Sequence, residues 1–238
     1  MTTMSELVKI LSRRPGWLLV AAVIGIVAIG SPAFASPLIC NESADFALGL
    51  EDYPEAIRLH QEVLRQRPDN ALAHYHLGYA YGVTGDSAAE LREYLKAQEL
   101  GLRTWDFYLN LGLLRLDRRE FRDAIAALSE STRLGPTHPE AHFNLGLAYE
   151  RAGMLARAAD EISASLKLDS AQPDAENELA AVYAEMGRRE SAREIWTRLV
   201  EADPSYQPAA RNLAILRASD STQLGVALLN SGSTRRDP

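Results

Sequence analysis

Five histidines and a single cysteine are the residues of this 238-residue chain that first invite chemistry. His138 and His142 stand one helical turn apart with Glu140 between them, a spacing that places two imidazoles on one helix face where they could share a zinc-type cation. His74 and His76 are close in sequence, but residues two apart on a helix point away from each other. His74 and His142 fall at the same step of a repeating unit, a step that belongs to core packing. His138 belongs to a turn and His60 to a different helix, so no metal site is expected. Cys40 by itself excludes an intramolecular disulfide and reads as a small apolar residue of the first helix. A phosphate-cradling Gly-rich loop, a nucleophile elbow and a catalytic Cys/His pair are all missing from the sequence. The expectation is a chain with no catalytic residues and no cofactor, which is not an enzyme.

The elements that would hold these side chains are set by a repeat. "NLGLAYERAG" at 144–153 is preceded by "NLGLLRLDRR" at 110–119 and "HLGYAYGVTG" at 76–85, and followed by "ELAAVYAEMG" at 178–187, each thirty-four residues from the next. Helical periodicity runs from about Glu42 to Arg217 with no alternating β-type stretch. Prolines in "RPDN", "GPTHPE", "SAQPD" and "DPSYQP" mark helix ends and starts. The units read 71–104, 105–138, 139–172 and 173–206, each two helices and a turn. A degenerate unit at 40–70 precedes them, and a capping helix at 207–218 follows.

The recurrent residues have physical roles. Leu77, Leu111, Leu145 and Leu179 anchor the first helix of each unit. Gly78, Gly112, Gly146 and Ala180 follow them and allow the second helix to approach, facing Ala124, Ala158 and Ala192. Tyr81, Tyr149 and Tyr183 fill space between hairpins, and Tyr94, Leu128, Ile162 and Trp196 close the second helix over the core. Gly85, Gly153 and Gly187 accept the left-handed conformation that ends the first helix. Taken together, these residues resemble the tetratricopeptide repeat family over about 40–218. The departures are Arg115 and Arg119 in place of tyrosine and glycine, Glu90 in place of a small residue, and Leu102 and Ser170 in place of proline. Local loosening is expected there.

The resemblance implies an all-α, right-handed superhelical solenoid of antiparallel helix pairs, whose first helices line a concave, partner-binding face. Carried over to this chain, the fifth and ninth places of the units are Tyr75 and Tyr79, Leu109 and Leu113, Phe143 and Leu147, and Asn177 and Ala181. The first three of these units offer six apolar or aromatic groups along one stripe, which implies a groove for an extended peptide or amphipathic helix. The sixth places, His76, Asn110, Asn144, Glu178 and Asn212, resemble an asparagine ladder, whose amides donate to and accept from a ligand backbone. The same residues packing between neighbouring first helices would look no different. Because the central fifth and ninth places are apolar, a clamp for a terminal carboxylate is not expected.

The net charge of −7 argues against nucleic acid as a partner. Ahead of the repeats, Lys9, Arg13 and Arg14 precede the fourteen-residue apolar run "WLLVAAVIGIVAIG" and the small–x–small end Ala33-Phe34-Ala35. That is the layout of a secretory signal peptide over 1–35, cleaved near Ala35/Ser36. An uncleaved membrane anchor is the alternative, and only then would the chain touch a membrane. The twin arginine of "SRRPGW" and the "PLIC" before Asn41 are weaker versions of export and lipidation signals, marred by Gly16 and Ile39. Residues 219–238 read as a flexible tail whose segment "TQLGVALLN" could dock in the groove. The expected whole is an exported bacterial adaptor or scaffold, periplasmic or secreted, that binds a protein or peptide during envelope assembly, secretion or protein maturation. Self-assembly through homotypic contacts is the alternative.

Overall fold

The structure is a computed structural model that describes residues 40–232, with side chains through Ser219. The signal-peptide expectation at 1–35 lies outside the described residues, as does 233–238. Among the described residues the chain is all-α, with eleven helices and no strand. They are α1 (Glu42–Gly49), α2 (Tyr53–Gln66), α3 (Ala71–Val83), α4 (Ser87–Glu99), α5 (Trp105–Asp117), α6 (Phe121–Leu134), α7 (Pro139–Arg151), α8 (Leu155–Leu168), α9 (Pro173–Glu185), α10 (Arg189–Ala202) and α11 (Gln207–Gly232).

First helices begin at 71, 105, 139, 173 and 207, and second helices at 53, 87, 121, 155 and 189, so both series keep the thirty-four-residue period. Local chemistry explains the starts. Asn41, Asp52, Asn70 and Asp86 cap α1 to α4 by accepting from the backbone N–H three residues on. Pro139 and Pro173 open α7 and α9, where the missing N–H costs nothing. The stops also repeat. Glu51, Gly85, Arg119, Gly153 and Gly187, thirty-four residues apart, all have positive φ between 59° and 88°. The left-handed step is therefore retained just after α5 even where arginine replaces glycine.

The chain forms two compact units that divide between Leu114 and Arg115, within α5. In the first, α1 packs on α2, α2 on α3 and α3 on α4. Its core holds Leu77, Tyr94 and Phe107, and the rings of Tyr75, Tyr94, Phe107 and Tyr108 meet at centroid distances of 5.1–6.0 Å. In the second, each helix from α6 to α11 packs on the next. Its buried layers centre on Ile162 with Leu179 and Val182, and on Trp196 with Leu199, Leu213 and Leu216.

The glycine after Leu77 and after Leu145 is required by the approach of the second helix. A Cβ on Gly78 would lie 2.6 Å from the Tyr94 ring, and one on Gly146 would lie 2.5 Å from Ile162 Cγ1. The loosening expected at Glu90 is absent. Gly82 clears space for the Glu90 carboxylate, which would sit 2.6 Å from a Cβ there, and the Tyr94 hydroxyl hydrogen-bonds to Glu90. At another departure, Arg115 ion-pairs with Glu120, and at 3.8 Å with Asp123. The last helix is longer than expected: it continues from Ala218 to Gly232, since Ser219-Asp220-Ser221-Thr222 includes neither glycine nor proline to stop it. No helix among the described residues is long and apolar enough to cross a membrane.

Candidate partner-binding face

The first helices present three kinds of position on the face read from the sequence, and the structure gives them different roles. The fifth places are largely structural. Tyr75 and Leu109 are buried. The Tyr75 hydroxyl donates to Asp106 Oδ2 at 3.0 Å and accepts from Asn110 Nδ2 at 2.7 Å, which ties α3 to α5. Burial first, then the nearby Asp106 carboxylate, holds this phenol well above its ordinary pKa, so it remains a donor. Phe143 is half-buried against the Ile162 layer. Asn177 accepts from Trp196 Nε1 at 3.0 Å, which pins the second helix of its hairpin to the first.

The sixth places are partly exposed, but the polar groups of His76, Asn110, Asn144 and Asn212 are engaged within the fold. Asn110 donates to Tyr75, Asn144 Nδ2 donates to Glu140 O at 2.8 Å within its own helix, and Asn212 Nδ2 donates to Asn177 Oδ1 at 3.1 Å. His76 Nδ1 lies 2.7 Å from Asp45 Oδ1. An amide nitrogen carries two hydrogens, so each asparagine keeps a donor beyond the bond described.

The ninth places remain accessible. Tyr79, Leu113 and Leu147 are all partly exposed. Tyr79 and Leu113 lie in the first unit and Leu147 in the second. In the second unit the same helices also carry acid. Burial raises the carboxyls of Glu150 and Glu178 above the ordinary 4.5, and neighbouring glutamates, Glu185 among them, push the same way. Arg151 opposes this and pairs with Glu150 at 3.2 Å. Two carboxylates crowded in this way favour the approach of a cation.

Some polar residues were assigned no place on this face by the sequence. His74 and His142, at equivalent steps, each meet a second-helix glutamate at 2.8 Å (Glu93 and Glu161) and a proline carbonyl six residues earlier. They brace the hairpin between helices. Cys40, Asp45 and His60 converge with His76 in the first unit, their ligand atoms all within 4.8 Å of one another. Only Asp45 left a trace in the sequence: it is a charged residue set between the buried Ala44 and Ala47.

Comparison with known proteins agrees with this architecture. Residues 109–173 match the model of the tetratricopeptide repeat, and residues 49–85 match a TPR repeat model. No curated protein matches the sequence. Among solved structures, YrrB, described as a TPR protein with an unusual peptide-binding site, superposes with a TM-score of 0.67 at 22% identity. The match covers 71% of this chain and 87% of YrrB. A MamA structure gives 0.62 at 23% identity, covering 66% of this chain and 92% of its own. MamA 41-end from Desulfovibrio magneticus RS-1 gives 0.63 at 19% identity, covering 71% and 99%. The fold is that of the all-α tetratricopeptide-repeat proteins, and the chain carries such repeats in both compact units.

Proposed function

We propose that this chain is a non-enzymatic scaffold that binds a partner protein or peptide on the first-helix face of its repeats. The carrying observation is the split along that face. The fifth places are spent on the core, whereas Tyr79, Leu113 and Leu147 stay accessible without being needed to close it. A fully buried apolar anchor contributes roughly 1.5–3 kcal/mol before ordering costs, so the accessible anchors of either unit support binding no tighter than about micromolar. The crowded Glu150 and Glu178 favour a partner segment that carries lysine or arginine. The peptide-binding site in the description of YrrB is in keeping with this mode of use.

Homotypic assembly is the second reading, favoured by Phe46 and Leu50, which lie largely exposed on and just after α1. Export through the N-terminal segment, with action in the periplasm or outside the cell, belongs to the same proposal. It rests on the basic, apolar and small-residue layout of 1–35.

A displayed random-peptide library selected on the full chain tests the binding claim. Peptides that bind the second unit are expected to combine apolar residues with at least one basic residue and to be lost by Leu147→Glu, and apolar peptides that bind the first unit are expected to be lost by Tyr79→Glu, in variants that remain helical. Peptides bound equally well by these variants would place the binding surface elsewhere.

A further inference from the structure

We propose that Cys40, Asp45, His60 and His76 form a four-ligand site for a zinc-class divalent cation that staples the first repeat. The four side chains come from four consecutive segments: the turn before α1, then α1, α2 and α3. Cys40, Asp45 and His60 are buried, and His76 is nearly so. Their ligand atoms all lie within 4.8 Å of one another. Asp45 Oδ1 lies 3.2 Å from Cys40 Sγ, 3.2 Å from His60 Nε2 and 2.7 Å from His76 Nδ1, while Cys40 Sγ lies 3.7 Å from His76 Nδ1. Four ligands bound tetrahedrally at zinc distances stand about 3.3–3.6 Å apart. Those four pairs are close to that size and the whole set lies within 4.8 Å, so a cation would draw the wider pairs inward while the His76–Asp45 pair opens by about half an ångström as the cation replaces the shared proton.

The surroundings orient the set as metal sites do. Asp45 Oδ2 accepts from the backbone N–H of Cys40 at 2.8 Å and of Asn41 at 3.2 Å, which leaves Oδ1 turned inward. His60 Nδ1 lies 2.8 Å from Ala56 O. A carbonyl oxygen only accepts, so Nδ1 carries the proton, and in the neutral ring Nε2 is a bare lone pair aimed at a carboxylate oxygen. Two acceptors cannot satisfy each other, and a positive charge must sit between them, either a proton or a metal ion. A metal-bound histidine typically gives its other ring N–H to a carbonyl in this way. Arg67 Nη2 donates to Cys40 O at 2.9 Å and fixes the turn that carries the thiol.

A thiolate, a carboxylate and two neutral imidazoles neutralise a divalent cation, and sulfur with imidazole nitrogen selects the zinc class over magnesium or calcium. With four protein ligands the site is closed, hence structural rather than catalytic. It would fasten the degenerate N-terminal unit, where the repeat signature is weakest. The sequence expectation of no metal site set aside all five histidines, His60 and His76 among them, because their spacing does not show that folding brings Cys40 and Asp45 to them.

The test uses the full chain, kept reduced and freed of metal, titrated with Co²⁺ and then Zn²⁺. One equivalent of Co²⁺ should produce a thiolate-to-cobalt charge-transfer band in the near ultraviolet, which Zn²⁺ abolishes. Zn²⁺ should raise Tm, by an amount that grows with the logarithm of its excess over Kd. Cys40→Ser, nearly isosteric, should lose the band and weaken Zn²⁺ binding by about 100-fold or more, since loss of even an outer-shell partner costs about 10–100-fold. His142→Ala, which removes an imidazole from a different hairpin, should change neither. A wild-type chain that is helical by circular dichroism but shows neither band nor Tm shift would overturn the proposal. A Cys40→Ser chain that binds as the wild type does, or loss of binding in His142→Ala, would also overturn it.

Discussion

Tyr75 and Tyr79 stand one turn apart on α3 and serve different ends. Tyr75 is core, and its hydroxyl links Asp106 and Asn110. Tyr75→Phe should cost about 1 kcal/mol, the worth of a hydrogen bond to partly exposed partners, without altering partner affinity. Tyr79→Ala should do the reverse. Chemical denaturation set beside a binding titration checks both, and a loss of affinity in Tyr75→Phe would return that residue to the binding face. Glu178 gives a pH signature. Its folded pKa is raised by burial and neighbouring carboxyls, so the native state holds the proton more tightly than the unfolded one. Stability from this group then falls as pH climbs above the ordinary 4.5 and is fully forfeited beyond the raised value. Glu178→Gln should therefore raise Tm at pH 7 and converge with the wild type below pH 4.5. Equal melting temperatures at pH 7 would contradict the crowding argument. Residue roles were the part least legible in the sequence. A buried and a half-exposed aromatic read alike, and whether Asn110 meets a ligand or Tyr75 depends on a neighbour thirty-five residues away.

Helices and their ends were far more legible. A thirty-four-residue echo, caps and helix-opening prolines are local signals, and the observed helix starts keep that register. Reading substitutions as damage was less successful. Glu90 and Arg115 both find partners, because a neighbouring glycine or glutamate accommodates them. Arg119 and Glu51 have no such relief in the backbone, where a left-handed L-residue costs roughly 1–2 kcal/mol. Arg119→Gly should stabilise the chain by about 0.5–1 kcal/mol once the greater freedom of unfolded glycine is counted. Gly146→Ala should destabilise it by about 1–3 kcal/mol, because its Cβ would press on Ile162 and on the Ala158 carbonyl. Urea midpoints at constant m-value check both, and a neutral Gly146→Ala would mean that the helices can part there at little cost.

For the molecule as a whole, fold class follows from sequence because each hairpin can bury its apolar face only against the next, and periodicity records that need. The Cys40–Asp45–His60–His76 cluster left no such record. Its members are spread over thirty-seven residues in four segments, and only folding brings them together. The partner, too, is not written in the repeat; what the fold supplies is a set of accessible side chains on one helix of each pair. The most direct test of the account puts a photo-crosslinking residue at Tyr79 or Leu147 on first helices, or at Leu95 or Leu168, which are exposed on second helices, in the full chain expressed in its native cell. The account predicts discrete adducts from Tyr79 and Leu147 and none from Leu95 and Leu168. Adducts from the second-helix positions alone, or the same adducts from all four, would contradict it.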